Sequence, residues 1–155
     1  MEQLKKGDPA PDFFGRDQDG IIHSPGDYKG KKLIIYFYPK DNTPGCTTEA
    51  CNLRDNHDDL TGKGFSVLGI SADSESSHKK FRDKYELPFP LLADEDKSII
   101  KKYNAWGMKK MYGKSYEGIT RKTFIIDEEG KIENIIEKVK TKDHARQIYQ
   151  VMNIE

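Results

Sequence analysis

The chain has 155 residues, 35% of them apolar and 34% charged, with 26 basic and 26 acidic side chains and a formal net charge of zero. That length suits one domain with a buried core, and the balanced charge argues against disorder and against nucleic acid or an anionic membrane as main partner. No stretch approaches the roughly 18 apolar residues of a membrane span, and the opening MEQLKKGDPAPDFF lacks the apolar run of a secretory signal, so a cytoplasmic protein is expected.

In chain order, DFFGRDQDGIIH (12–23) predicts a hairpin turning near Asp19 and Gly20. LIIYFYP (33–39) is β-branched and aromatic and predicts a buried strand ended by Pro39. TTEACNLRDNHDDL (47–60) predicts a helix stopped by Gly62 and Gly64. FSVLGIS (65–71) reads as a second buried strand, SESSHKKFRDKYE (74–86) as a helix ending before Pro88, FPLLAD (89–94) as a short strand and DKSIIKKY (96–103) as a short helix. Residues 104–121 hold three glycines and no clear period, which predicts a long surface loop, with Trp106 packing it and its basic, Met-rich face open to a partner or covering a site. KTFIIDEEGKIENIIEKV (122–139) predicts two strands around Glu128-Glu129-Gly130, and a last helix over 141–152 opens with Thr141 as its capping candidate. His23, His57, His78 and His144 stand in polar stretches and are expected at the surface without a direct role.

This alternation predicts a single α/β layered domain over 1–155, with helices covering a central sheet. In such sheets sites form beyond the carboxyl ends of the strands, and strand 33–39 runs straight into YPKDNTPGCTTEAC, which holds both cysteines of the chain. Pro44 and Gly45 are poor helix residues, so the helix is expected to begin close to Cys46. Unpaired N–H groups and the helix dipole there favour a thiolate over a thiol. Cys51 follows five residues later. Five helical residues place two Cα atoms about 8.6 Å apart, whereas a disulfide needs about 4.4 to 6.8 Å. If the two sulfurs pair, this helix must partly unwind. The plain alternative is that both are small buried hydrophobes. A metal site built on Cys46, Cys51 and His57 has irregular spacing and is disfavoured, and no C-x-x-C pair is present.

FYPKDNTPGCTTEAC resembles the active-site segment of the peroxiredoxins, and most closely the bacterioferritin-comigratory-protein or peroxiredoxin Q subgroup, in which a second cysteine follows the first by five residues. The resemblance extends along the chain through GDPAPDF (7–13), YKGKKLIIYFYP (28–39), GISADS (69–74), FPLLADED (89–96) and GITRKTFIID (118–127). It implies a thioredoxin-like fold, a central mixed sheet flanked by helices, and a thiol-dependent peroxidase without cofactor or metal. Cys46 would be the peroxidatic cysteine, attacking the O–O bond of a hydroperoxide to give a sulfenic acid. Thr43 would hydrogen-bond the peroxide, Pro39 would shield the site from water, and Arg121 would stabilise the thiolate and the peroxide oxygens. Cys51 would be the resolving cysteine, closing a disulfide that thioredoxin or a similar dithiol donor reduces, and an internal resolving cysteine implies a monomer. Glu49 either orients Arg121 or simply suits the helix N-terminus. Lys122 stands where the family commonly has serine, and its side chain is expected to alternate away from that of Arg121. A dithiol–disulfide oxidoreductase would use the same cysteines without needing Thr43 or Arg121. A non-enzymatic chaperone or binding module on the same fold is the other alternative.

Overall fold

The computed structural model describes residues 3–111 and 113–154. A seven-stranded sheet is formed by β1 (Gly15–Arg16), β2 (Ile22–His23), β3 (Lys32–Phe37), β4 (Phe65–Ser71), β5 (Leu91–Ala93), β8 (Lys122–Ile126) and β9 (Ile132–Ile136), in the order β2-β1-β5-β4-β3-β8-β9. β3 lies near its middle, parallel to β4 and antiparallel to β8, so the sheet is mixed. Both faces of β3 are covered, which explains why its sequence is a continuous apolar run rather than an alternation. Successive side chains still point to opposite faces. Ile34, Tyr36 and Tyr38 enter one core layer, with Cys46, Ala50 and Leu53 of α1 (Pro44–Asp55), Phe81 of α3 (Glu75–Tyr85) and Ile148 of α5 (His144–Val151). Leu33, Ile35 and Phe37 enter the other, with Phe13, Phe124, Tyr103, and Ile99 and Ile100 of α4 (Ser98–Lys102). Among the described residues, no helix is long and apolar enough to cross a membrane.

The hairpin expected at 12–23 is present as β1 and β2, and the Asp17 carboxylate holds its turn by accepting from the N–H groups of Asp19 (2.8 Å) and Ile21 (3.0 Å). The pair expected in 122–139 is β8 and β9. Ser74 caps α3 by accepting from the Ser77 N–H at 3.1 Å. Three expectations are corrected. The helix read as 47–60 starts at Pro44 and breaks at Asn56 into α1 and α2 (His57–Gly62). Proline suits a helix's first position, where its missing N–H has no partner to lose, so Pro44 opens α1 rather than preceding it. At the C-terminus, Thr141 begins a short 3-10 turn, and Asp143 is the residue before α5.

The third correction is the largest. Residues 104–121 are not a loop: β6 (Trp106–Met111) and β7 (Lys114–Ile119) form an antiparallel hairpin separate from the main sheet, with Trp106 opposite Ile119 and Lys109 opposite Tyr116. A two-stranded ribbon standing off a sheet buries little, so its strands carry no apolar alternation to read. The hairpin is held instead by its backbone ladder and by polar contacts such as Trp106 Nε1 donating to Glu117 Oε2 at 3.3 Å. The indole also lies beneath the ammonium groups of Lys97 and Lys101, 5.4 and 5.7 Å from the ring centre.

Candidate active site

The chain leaves β3 through Tyr38 and Pro39 and turns into α1 within six residues. Asn42 makes the turn in the left-handed region, at φ 60°, a conformation asparagine tolerates better than most residues. Asp41 beside it is buried and heavily tied. Its N–H donates to Asp73 Oδ2 (2.8 Å), while its carboxylate accepts from the Tyr38 hydroxyl (2.7 Å) and Ser77 Oγ (2.8 Å) and lies 2.7 Å from His78 Nδ1. The other His78 nitrogen lies 2.8 Å from the Leu92 carbonyl. This network fixes the approach to α1. Thr43 then occupies the position before the first helical residue in extended conformation, and its carbonyl accepts from the Thr47 N–H at 2.8 Å.

Cys46 is the third residue of α1 and is buried, 1% exposed. Its backbone N–H is among those at the helix start without an intrahelical acceptor. Arg121, at the end of the hairpin just before β8, donates from Nη2 to Cys46 Sγ at 3.4 Å and from Nη1 to Glu49 Oε1 at 2.7 Å. Cys46 and Glu49 lie three residues apart on one face of α1, so one guanidinium bridges both. Gly45 leaves room for it: an added Cβ there would meet Arg121 Nη2 at 3.2 Å. Glu49 is fully buried, and burial raises its pKa to about 7 although Arg121 pulls the other way. Desolvation opposes the charge on Arg121, but the negative charges of Cys46 and Glu49 outweigh it and hold the guanidinium pKa above its ordinary value.

The Thr43 hydroxyl donates its proton to the Lys40 carbonyl at 2.9 Å. That leaves its oxygen lone pairs able to accept from an incoming O–H donor. Pro39 is half-buried between β3 and this turn. Lys122 turns to the far side and pairs with Glu137 at 3.5 Å. Both cysteines are free, and both lie within α1, Cys51 half-buried. The structure therefore brings Thr43, Cys46, Glu49 and Arg121 together and holds Cys51 apart from Cys46 by an intact helix.

Two groups beside the site were not visible in the motif. Tyr36 points from β3 into the same core layer as Cys46, and among the described residues its buried hydroxyl has no hydrogen-bond partner. Burial first, then the charges of Glu49 and Cys46, hold its pKa well above the ordinary value, so it stays a neutral phenol. His144 is fully buried rather than exposed, and so is His78, while His23 and His57 are half-buried; this overturns the surface placement expected for all four. His144 Nε2 lies 2.8 Å from Thr123 Oγ1 and 3.6 Å from Glu49 Oε2, and its Nδ1 lies 2.9 Å from Gln147 Oε1. Burial lowers its pKa to about 4, so it is neutral at physiological pH. Thr123 and Glu49 lie on other elements, and no local pattern announces them.

The AhpC/TSA family model matches residues 6–135. The chain is 44% identical over 149 residues to "Peroxiredoxin Bcp" of Bacillus subtilis, covering 96% of this chain and 95% of that protein. It is 46% identical over 144 residues to "Peroxiredoxin Bcp" of Escherichia coli K12, covering 93% and 92%. Its fold superposes on a cysteine-to-serine mutant of Xylella fastidiosa PrxQ with a TM-score of 0.91 at 30% identity, covering 99% of this chain and 98% of the other. A structure of the Xanthomonas campestris bacterioferritin comigratory protein, described for its alkyl peroxide reduction activity, superposes with a TM-score of 0.85 at 34% identity, covering 91% and 90%.

Proposed function

The chain belongs to the AhpC/TSA family as a peroxiredoxin of the Bcp and PrxQ type, a thiol-dependent peroxidase, and from that premise we propose that Cys46 is its peroxidatic nucleophile and Cys51 its resolving cysteine. The observation that carries this reading is the Arg121 guanidinium shared between the buried Cys46 sulfur and the buried Glu49 carboxyl.

A hydroperoxide enters at Thr43 and donates its O–H to Thr43 Oγ1, whose own proton is committed to Lys40. The Cys46 thiolate attacks the nearer oxygen. An S–O bond forms, the O–O bond breaks, and its electron pair leaves with the far oxygen, which takes a proton to become water or an alcohol. Sulfur is oxidised by two electrons to the sulfenic acid and the peroxide is reduced. Arg121 is aimed at the region where the charge moves, and preorganised donors of this kind are the largest expected catalytic term. Pro39 limits water at the sulfur, and Glu49 fixes the plane of the guanidinium. The Cys51 thiol then attacks the Cys46 sulfenic sulfur, releasing water and closing a disulfide. Thioredoxin or a similar dithiol donor reduces that bond. Hydrogen peroxide and organic hydroperoxides are both substrates in this reading, the latter supported by the Xanthomonas relative. The enzyme works in the cytoplasm as a monomer of one domain.

Peroxide consumption, followed with thioredoxin, thioredoxin reductase and NADPH, tests the reading. Cys46→Ser abolishes turnover while the far-UV spectrum is unchanged. A Cys46→Ser protein that consumes peroxide at the parent rate ends it.

A further inference from the structure

The last helix reaches the site through a side chain that the cysteine motif does not contain. α5 is docked on α1, where Asn52 Oδ1 accepts from the Ala145 N–H at 2.8 Å. This sets the fully buried His144 ring against the fully buried Glu49 carboxyl, with Nε2 3.6 Å from Oε2. That separation is too long for a formed hydrogen bond. Glu49 Oε1 accepts from Arg121 Nη1 at 2.7 Å, but among the described residues Oε2 has no hydrogen-bond partner.

Gln147 decides which His144 nitrogen carries a proton. Gln147 Oε1 accepts from the Lys140 N–H at 2.9 Å, and its Nε2 donates to the Lys138 carbonyl at 2.7 Å. The amide is thereby fixed with its oxygen towards His144. Nδ1 lies 2.9 Å from that oxygen, which can only accept, so Nδ1 carries the hydrogen. Burial keeps the ring neutral, and a neutral imidazole has a single N–H. Nε2 is therefore a bare acceptor, and the Thr123 hydroxyl 2.8 Å away donates to it. The ring shows Glu49 a lone pair and no donor. A carboxylate oxygen buried in that setting is costly. With a proton on Oε2 the same arrangement is favourable, because an O–H then faces the electron-rich edge of the ring.

We propose that α5 sets the charge of the peroxidatic site: Gln147 holds His144 with its bare nitrogen towards Glu49, Glu49 keeps a proton on Oε2, and the charge of Arg121 is left to the Cys46 sulfur. His144 is a positioning residue in this scheme, acting through Glu49 and Arg121, and the inference rests on the assignment of Cys46 as nucleophile. A charge count supports it. Facing Glu49 are Cys46 on its own helix, Arg121 before β8, Tyr36 of β3 and His144 of α5. Tyr36 and His144 are neutral. An ionised Glu49 would divide one guanidinium between two anions, whereas a protonated Glu49 still accepts from Nη1 through Oε1 and holds the guanidinium in place without taking its charge.

The test is made at pH 6 on the reduced protein. Nitrogen NMR of labelled histidine is expected to show His144 with its proton on Nδ1. Infrared difference spectra between the parent and Glu49→Gln are expected to show a protonated carboxyl band that belongs to Glu49. Gln147→Glu places a carboxylate beside Nδ1, favours the imidazolium and so offers Glu49 an N–H from Nε2. In that variant the carboxyl band disappears, the Cys46 thiol titrates about one unit higher and its oxidation by hydrogen peroxide slows by up to about tenfold. A parent with the proton on Nε2, or without a Glu49 carboxyl band, overturns the inference. So does a Gln147→Glu protein that keeps the band, whether its rate is unchanged or slowed; slowing alone would mean that Gln147 only anchors α5. If Gln147→Glu loses its fold, the tautomer and the band of the parent decide. None of these readouts depends on turnover, so they are separable from the reading of the site itself, which fails if Cys46→Ser still reduces peroxide.

Discussion

Oxidation should melt the first half of α1. Both cysteines lie in that helix, and five helical residues hold their Cα atoms about 8.6 Å apart. Disulfide formation requires at most about 6.8 Å, so the chain must close by about 2 Å or more, which a wound helix cannot do. About four or five backbone hydrogen bonds are exchanged for bonds to water, at a net cost of roughly 0.5 to 1.5 kcal/mol each. The side-chain bond from Thr48 Oγ1 to the Pro44 carbonyl (2.9 Å) goes with them. Thr47 and Thr48 are β-branched and weak helix formers, which lowers the cost. The opening has a defined end. Asn52 Oδ1 accepts from the Ala145 N–H at 2.8 Å, its Nδ2 donates to the Lys142 carbonyl at 3.2 Å, and Leu53 behind it is fully buried. Amide hydrogen exchange reads this directly. Protection at residues 47–51 drops on forming the Cys46–Cys51 bond and returns on reduction, while Leu60 in α2 stays protected in both states. Equal protection across 47–51 in both redox states, with the bond confirmed by mass spectrometry, would refute the reasoning.

Two further predictions follow from the Arg121 pair. Burial raises the Glu49 pKa to about 7 in the fold, against 4.5 for an ordinary glutamate; the folded state holds its proton more tightly than the unfolded state, so this group's contribution is full below pH 4.5 and is lost as pH rises through 7. Glu49→Gln is spared that loss, and urea unfolding will show the parent falling by about 3 kcal/mol relative to Glu49→Gln between pH 4 and pH 8; a parent that gains on the variant over that range would mean that the Arg121 ion pair outweighs burial. Gly45→Ala places a methyl 3.2 Å from Arg121 Nη2, yet alanine suits a helix better than glycine by up to about 1 kcal/mol. Its stability is therefore held or raised while peroxide reduction slows, and a variant with parent activity would show that the guanidinium shifts freely.

Much of the sheet was legible because its central strands are buried on both faces. LIIYF and FSVLGIS can hardly be anything but interior strands, and Asp19-Gly20 and Gly130 mark the turns that return the chain. The arrangement around Cys46 was legible for a different reason: Thr43 through Glu49 is a continuous stretch, so the motif and the geometry coincide in one helix turn. What sequence could not supply came from contacts remote along the chain. The β6–β7 hairpin has strands with no apolar period, and His78 and His144 are buried against partners that arrive from elsewhere in the chain, Asp41 and the Leu92 carbonyl for the first and Thr123 for the second. A histidine in a polar stretch reads as exposed until its partners are known.

The site joins two requirements that pull against each other. On the proposed assignment, a reactive thiolate needs Cys46 buried at a helix start under Arg121, whereas resolution needs the same residue released towards Cys51. The two sides of α1 divide the task. On the upstream side, Asp41 locks the turn into Thr43 through Tyr38, Asp73, Ser77 and His78, so that turn is fixed while the helix beyond it opens. On the downstream side, Asn52 and Leu53 hold the rest of α1 against α5 and the core. Between these anchors, the contact to be surrendered at sulfur is the 3.4 Å bond from Arg121 Nη2. Once sulfur carries a sulfenic acid it is neutral, so the attraction between thiolate and guanidinium is lost and only the charge of the donor remains in the bond. The reaction therefore weakens the interaction that holds Cys46 in place, and the helix is freed by the step that makes its opening useful.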